Sequence, residues 1–469
     1  MTTTRLPSLT AVGRTMGSVR AGQGERWGWV AVVAVVLLWG ATVPLGFTRA
    51  VAALTAFGFL GAVVGLVQPA VGVVSIALLC TLDAPARAFL TSGGLFRWNT
   101  LNYWLLLVAG LAIPRLTRLR DGPTRLLELL ALLIGLEILI STDPELGLQH
   151  LINLLGVFGM LAYTVAVGTR QDVWSWVGLI GGASGAAGGL AYFVQGRELV
   201  VMNPNAWSYL PLGALLTICL GFSQSENLPR RRMVLGWLAG LNVAWVFLSG
   251  SRGSLMVALC CVGYLFAATT RFSGRAIMVA TAALVLLAAS SIFTDLQEHS
   301  LGRLLKLLNP TVSLTERTSG RFDLMLGGLY IFESHPLGVG TGGFGAAWAE
   351  LGSREGLSGF GRNWSVPAHA GWIKTLAENG APGALLLAGL VLSFAVTAVA
   401  VRDRGTRRLG YLTAVALATA WISTEFQARS LWLLAAGTAS LLRAHRCRQR
   451  TRLDEAAAAT PGAASGPPR

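Results

Sequence analysis

Two arginine-bearing segments of the sequence are suited to binding an anion at a membrane boundary. Arg252 lies in Ser-Gly-Ser-Arg-Gly and separates two apolar runs, and a charged group at such a boundary is a functional candidate. Arg317 and Arg321 lie four residues apart, so they would share one face of a helix. Each segment also has a structural interpretation: Arg252 as an interfacial arginine reaching lipid headgroups, and the other two as a solvated helix face.

One histidine is placed to act as a general base. His369 follows a long polar segment and opens an apolar run that contains Glu378-Asn-Gly-Ala-Pro-Gly383, whose glycines and proline would break a membrane helix. Unperturbed imidazole has a pKa of about 6.5, so it can take a proton from a hydroxyl near neutral pH. A purely structural role for an isolated histidine is the alternative.

No metal or nucleotide motif accompanies these residues. Gly338–Gly343 satisfies GxGxxG by letter but follows a proline without a βαβ context, and the sequence has no Walker A motif, no DxD pair and no ligand-spaced cluster. We therefore expect no metal and no cofactor. If a substrate carries a phosphate or pyrophosphate leaving group and no metal ion is present to neutralise its charge, fixed guanidinium groups would have to do so. Outer-face arginines and one histidine base are the minimum set for displacing a lipid pyrophosphate with a hydroxyl.

The composition places these residues in a membrane protein. Of 469 residues, 53% are hydrophobic and 13% are charged, whereas soluble domains carry about 25% charged residues. Apolar stretches of the length that crosses a bilayer recur from about residue 30 to residue 442. We predict an all-α polytopic membrane protein with about 12–14 transmembrane helices.

The net charge of +15 would suit a nucleic-acid partner, but the distribution of the charge argues against one. The arginines form short clusters between apolar runs, as cytoplasmic loops do. These clusters lie at residues 115–125, 230–232, 271–275, 402–408 and 443–450. Alternating the sides of the predicted spans from a cytoplasmic N-terminus places all five clusters inside. We expect membrane lipids and no nucleic acid as partners.

The same alternation predicts the domain organisation. It gives a cytoplasmic N-terminal segment (1–27), transmembrane helices (28–293), a large periplasmic loop (294–368), C-terminal transmembrane helices (369–443) and a cytoplasmic disordered tail (444–469). A loop of about 75 residues is longer than a connection needs, and such loops usually carry function. We therefore expect the work to be done at the outer face of the cytoplasmic membrane.

Three sequence runs, taken in order, resemble the O-antigen ligase family and its relatives, the O-antigen polymerases. They are FLSGSRGSLMVAL, SGRFDLMLGGLYIFESHPLGVGTGGF and HAGWIKTLAENGAPGALLL, and an Asn-Pro-Asn element at 203–205 is also similar to that family. The resemblance covers about residues 200 to 400. It implies a GT-C-type glycosyltransferase of the bacterial inner membrane that takes a glycan from undecaprenyl pyrophosphate at the periplasmic face.

The resemblance also implies roles for single residues. Arg252 and Arg321 match the family's pyrophosphate-binding arginines, and His369 matches its catalytic histidine. Arg317 is a nearby candidate that the motif does not name. The family often has a polar residue after the histidine, whereas this chain has Ala370, which cannot supply a side-chain hydrogen bond. With 14 predicted spans, eleven would precede the large loop at 294–368, which is two more than the family usually has. Some short N-terminal spans are therefore expected to be re-entrant or merged.

Several functions share these features. Ligation to lipid A core is the first expectation; an O-antigen or exopolysaccharide polymerase and a protein O-oligosaccharyltransferase would use the same fold and donor with another acceptor. A polysaccharide transporter or flippase is an alternative of a different class, because the glycine-rich run 173–194 and the broken segment 378–383 could be discontinuous transport helices. The sparse acidic residues within spans, Glu128 and Glu137, argue against it.

Overall fold

A computed structural model describes most of the predicted helical regions of the chain. The described residues are 9–41, 47–83, 85–86, 104–109, 121–195, 204–249, 251–268, 311, 321–355, 370–423 and 429–458. Every regular element in these ranges is an α-helix, which confirms the all-α class. Residues 269–310, which include the end of the range 28–293 predicted to hold transmembrane helices, lie outside them.

Besides short helical stretches such as residues 104–109, the first part of the described chain contains five helices. They are α1 (Leu9–Gly40), α2 (Phe47–Val64), α3 (Pro69–Thr81), α4 (Gly122–Glu137) and α5 (Pro144–Val167). Proline stands in the first turn of α3, α4 and α5, where its missing N–H leaves no helical hydrogen bond unmade. Asp121 and Asp143 cap α4 and α5, each accepting a hydrogen bond from a first-turn backbone N–H at 3.0 Å.

Four helices form the middle of the chain. They are α6 (Gln171–Gln195), α7 (Pro204–Ser223), α8 (Pro229–Leu248) and α9 (Arg252–Ala268). Helices α6 and α7 approach closely because Gly178 lies directly against Gly221, as small residues allow at helix interfaces in membranes.

Five helices complete the described chain. They are α10 (Arg321–Ser334), α11 (Phe344–Glu355), α12 (Gly371–Val399), α13 (Arg404–Ser423) and α14 (Arg429–Ala458). Helices α10 and α11 lie inside the segment predicted as a large loop. The tail predicted to be disordered from residue 444 is helical as far as Ala458, because alanine, arginine and leucine favour helix and Arg446 Nη2 donates to the Thr397 carbonyl at 3.4 Å.

Helix α12 is apolar on both its buried and its exposed faces. Leu390 and Phe394 are buried, whereas Leu385, Leu392 and Val399 are 73%, 62% and 66% exposed. Such a helix is stable when its outer face meets lipid. Helices α5 and α12 are long and apolar enough to cross a membrane, and shorter apolar helices lie at Thr48–Val64, Pro69–Thr81, Trp207–Ser223 and Gly253–Ala268. The count of 12–14 spans stays a prediction.

Polar contacts collect at two opposite ends of the helix bundle. At the first, which we call the basic end, Gln224 Nε2 donates to Thr406 Oγ1 at 3.4 Å and Asn227 Nδ2 donates to Gln171 Oε1 at 3.3 Å. These bonds join the α5–α6, α7–α8 and α12–α13 connections, and the arginine clusters at 230–232, 402–408 and 443–450 lie there. The opposite end, which we call the outer end, holds the α4–α5 and α8–α9 connections and the start of α12.

A break in α12 shapes the outer end. Gly380 has a φ of 59° and a ψ of −161°, so the helix is interrupted there, and Pro382 follows. The segment between α10 and α11, residues 336–343, pairs with the break and is termed the glycine loop. Three backbone hydrogen bonds join the two: Val339 N to Ala377 O at 2.9 Å, Gly340 N to Glu378 O at 2.9 Å, and Ala381 N to Pro336 O at 3.0 Å.

The pairing depends on glycine at the point of closest approach. Gly338 has a φ of 90°, a region that other residues rarely adopt, and a Cβ atom there would meet the backbone carbonyl of Glu378. A side chain at this position would therefore push the glycine loop away from the break.

We predict that Gly338→Ala destabilises the protein, by about 1–3 kcal/mol for the backbone strain alone. The matched control is Gly263→Ala in α9, where a new Cβ meets open space and alanine favours helix. Thermal unfolding of the purified full chain in detergent measures both. A fall in the melting temperature for Gly338→Ala and not for Gly263→Ala is expected; equal melting temperatures would contradict the close pairing.

Candidate active site

Arg252 is the first residue of α9, at the outer end. The backbone N–H of Ser254 lies 3.4 Å from Ser251 Oγ, and the hydroxyls of Ser208 and Ser254 are hydrogen-bonded at 2.6 Å. The second bond ties the start of α9 to the first turns of α7, beside the Asn-Pro-Asn element. The unsatisfied N–H groups and the dipole at a helix start favour an anion. The position of Arg252 is therefore compatible with binding a phosphate group.

Arg321 and His369 adjoin one apolar cluster. Arg321 is the first residue of α10, and Leu324, one turn later, is fully buried. Ala370 caps the start of α12 and is 5% exposed, and Ile373 follows it in the first turn. Leu324, Ala370 and Ile373 belong to the same buried cluster, together with residues of α11. The cluster therefore joins the start of α10 to the residue that follows His369.

The structure describes the backbone positions of Arg252 and Arg321 but not their side chains. Arg317 and His369 lie outside the described residues altogether. What the structure brings together are the helix start that carries Arg321 and the helix start that follows His369. The roles of all four residues remain those implied by the family resemblance.

A buried polar network, which the sequence did not predict, lies beside the glycine loop. Thr341 Oγ1 donates to Glu137 Oε2 at 2.7 Å, and Asn379 Nδ2 donates to the same oxygen. Asn379 Nδ2 also lies 2.7 Å from Thr341 Oγ1, and Ser141 Oγ donates to the Thr341 carbonyl at 2.8 Å. Glu137, Thr341 and Asn379 are all buried. The network therefore fixes the end of α4, the glycine loop and the break in α12 relative to one another.

Glu378, the residue before Asn379, supports the same region at a second point. Its side chain is 3% exposed, and Oε1 accepts a hydrogen bond from the backbone N–H of Phe344 at 3.4 Å. Phe344 is the first residue of α11, so a carboxylate stands at a helix N-terminus, which is its favoured position. The side chains of the two glutamates thus hold the glycine loop, through Thr341, and the start of α11 that follows it.

Lys374 and His150 form a second polar contact that sequence reasoning missed. Lys374 Nζ lies 3.2 Å from His150 Nε2, and the pair links the first turn of α12 to the second turn of α5. An ammonium group donates and cannot accept, so a neutral His150 would accept through Nε2 and carry its proton on Nδ1. Lys374 is one of two lysines in the sequence and lies in the run that carries His369. The rarity of lysine in this sequence was the feature that could have pointed to Lys374.

Among the residues that the structure describes, no group of three or more histidine, cysteine, aspartate or glutamate side chains could hold a metal ion. The expectation that the site works without a metal stays a prediction.

Comparison with known protein families identifies a match in the second half of the chain. Residues 237–388 match the family model described as O-antigen ligase. No curated protein matches the sequence significantly. The matched segment runs from α8 into α12 and contains Arg252, Arg321, the glycine loop and His369. This match confirms, over residues 237–388, the resemblance to the O-antigen ligase family inferred from the three sequence runs.

Proposed function

We propose that the protein is a GT-C-type membrane glycosyltransferase that moves an O-antigen or related polysaccharide from undecaprenyl pyrophosphate to a hydroxyl of lipid A core. The reaction would take place at the periplasmic face of the inner membrane. The observation that carries the proposal is the apolar cluster that joins the start of α10 at Arg321 to the start of α12 beside His369. It lies within the segment that matches the O-antigen ligase family.

The proposed reaction is a single in-line displacement. The acceptor hydroxyl oxygen attacks the anomeric carbon of the first sugar and forms the new glycosidic bond. The bond from that carbon to the pyrophosphate oxygen breaks, and its electron pair leaves with undecaprenyl pyrophosphate. His369 accepts the hydroxyl proton as general base. One displacement inverts the configuration of the anomeric carbon.

The arginines would stabilise the leaving group. Charge grows on the pyrophosphate as its bond to the sugar breaks, and guanidinium groups bind phosphate oxygens bidentately. Arg252 and Arg321 each stand at the first residue of a helix, so the helix dipole adds to their charge. Arg317, four residues before Arg321, would reach the same phosphates from the same side. This set supplies the positive charge that Mg²⁺ provides in other phosphate chemistry.

The break in α12 argues against the transporter alternative. In transporters the backbone groups of a discontinuous helix face the substrate or the coupling ion. Here the carbonyls of Ala377 and Glu378 accept hydrogen bonds from the glycine loop. These two carbonyl groups are therefore hydrogen-bonded within the protein, and do not face a substrate or an ion as they would in a transporter. Polymerase and protein O-oligosaccharyltransferase activities differ from ligation in the acceptor and share the same donor site.

We predict that His369→Ala lowers the rate of glycan transfer by about 10²- to 10⁴-fold, the usual contribution of a general base, while donor binding is retained. His335→Ala is the matched control, because that side chain is exposed after the end of α10. Transfer is measured with purified protein and a lipid-pyrophosphate donor. Near-normal turnover by His369→Ala would exclude the base role.

We predict that Arg252→Ala and Arg321→Ala each lower kcat/KM for the donor by about 10- to 100-fold, since a hydrogen bond to a charged group contributes about 1.5–3 kcal/mol. The control is Arg230→Ala, an exposed arginine at the basic end, which should leave donor kinetics unchanged. Initial rates at varied donor concentration give the comparison. Donor kinetics that are unaltered in both test variants would rule out the pyrophosphate clamp.

A further inference from the structure

A pocket of about 570 Å³ lies at the basic end, away from the proposed active site. Arg402 and Asp403 line it from the α12–α13 connection, and His445, Arg448 and Arg452 line it from α14. The two elements approach from different parts of the chain. Three guanidinium groups and an imidazole therefore meet around one concave surface.

The positive charge of this pocket is poorly compensated. Within the described ranges, no carboxylate lies within ion-pair distance of the three arginines. Asp403 is the one carboxylate among the lining residues, and its Oδ2 accepts a hydrogen bond from Thr406 N at 2.7 Å. That bond caps α13, so this carboxylate already has a structural role.

His445 adds an unused hydrogen-bonding group. Its Nε2 atom is buried and has no hydrogen-bond partner among the described residues. It lies beyond the last predicted membrane span, where burial lowers the pKa of its imidazole; Arg448 lowers that pKa further and Asp403 opposes the shift. Without a ligand the ring is therefore largely neutral near pH 7. A bound anion would supply the missing acceptor for a ring N–H.

We propose that this pocket binds the phosphate group of an anionic phospholipid headgroup. Arginines match phosphate oxygens in charge and geometry, and basic pockets between helices on the cytoplasmic side are suited to acidic headgroups. The apolar surroundings favour a lipid as the source of the phosphate. Leu453, which lines the pocket, is 54% exposed, and Val396 and Val399 expose apolar surface on the last turns of α12. Acyl chains could lie along that face while the headgroup enters the pocket.

The pocket is more than a product of membrane orientation. Arginines that only set orientation need to face the cytoplasm, and Arg404 and Arg450 do so without lining the pocket. Arg402, Arg448 and Arg452 instead surround one cavity. This difference between neighbouring arginines provides matched variants with the same change in charge.

The test compares Arg448→Gln/Arg452→Gln with Arg404→Gln/Arg450→Gln in the purified full chain. Native mass spectrometry counts bound lipid during titration with phosphatidylglycerol or with phosphatidylcholine. We expect the wild-type chain to retain phosphatidylglycerol preferentially. The pocket pair should lose about tenfold in apparent affinity, as expected for a lost charge-assisted hydrogen bond, and the control pair should change by less than about twofold.

Four outcomes would overturn the proposal. Equal losses in the two pairs would mean that the surface attracts anions only through its total charge. An unchanged pocket pair, or equal retention of phosphatidylcholine, would mean that the pocket does not recognise an acidic headgroup. A third arm adds inorganic phosphate: displacement of phosphatidylglycerol at equal concentration would assign the pocket to a soluble phosphate compound instead of a lipid.

Discussion

The buried carboxylate of Glu137 is the constraint on which the outer end of the protein depends. A carboxylate removed from water is costly unless hydrogen-bond donors satisfy it. Its Oε2 atom accepts hydrogen bonds from Thr341 in the glycine loop and from Asn379 beside the break in α12, whereas its Oε1 atom has no hydrogen-bond partner among the described residues. Each donor belongs to a segment of irregular backbone, which lacks the regular hydrogen bonds of a helix. The carboxylate therefore determines how two irregular segments meet.

This constraint reaches the proposed active site through the helices that follow it. The glycine loop begins just after α10 ends, and α10 begins at Arg321. The break at Gly380 lies in α12, which begins two residues after His369. Two sets of contacts hold α10 and α12 together. Backbone hydrogen bonds join the glycine loop to the break, and the apolar cluster joins the two helix starts. The helix start at Arg321 and the helix start that follows His369 are thus joined by both sets of contacts.

The sequence predicts the helices better than it predicts their contacts. Apolar runs together with Pro144 and Asp143 mark where α5 begins, because these features act locally. The contact of Glu137 with Thr341 joins residues 204 positions apart, and no local pattern signals it. Glu137 stood out in the sequence only as an acidic residue within a span. The sequence alone argued against reading GxGxxG as a nucleotide motif, and the structure shows that Gly338, Gly340 and Gly342 in this run have positive φ in a loop.

In the candidate site, too, the sequence indicates single residues, whereas the contacts between distant residues are visible only in the structure. Arg252 and Arg321 emerge from the sequence through family resemblance, and the structure adds that each begins a helix at the outer end. Lys374 and His150 meet only in three dimensions, across 224 positions of the chain. The helix that continues to Ala458 was missed because its polar composition resembles that of a flexible tail, although arginine and alanine are both good helix formers.

The central claim is that this outer end transfers a glycan covalently and does not carry it across the membrane. The most direct measurement uses the purified full chain in liposomes with EDTA, a labelled glycan on undecaprenyl pyrophosphate, and lipid A core as acceptor. We expect label on the acceptor with an inverted anomeric centre, and one undecaprenyl pyrophosphate released for each glycan transferred. Movement of the intact labelled donor between leaflets, with no glycan joined to any acceptor, would contradict the account.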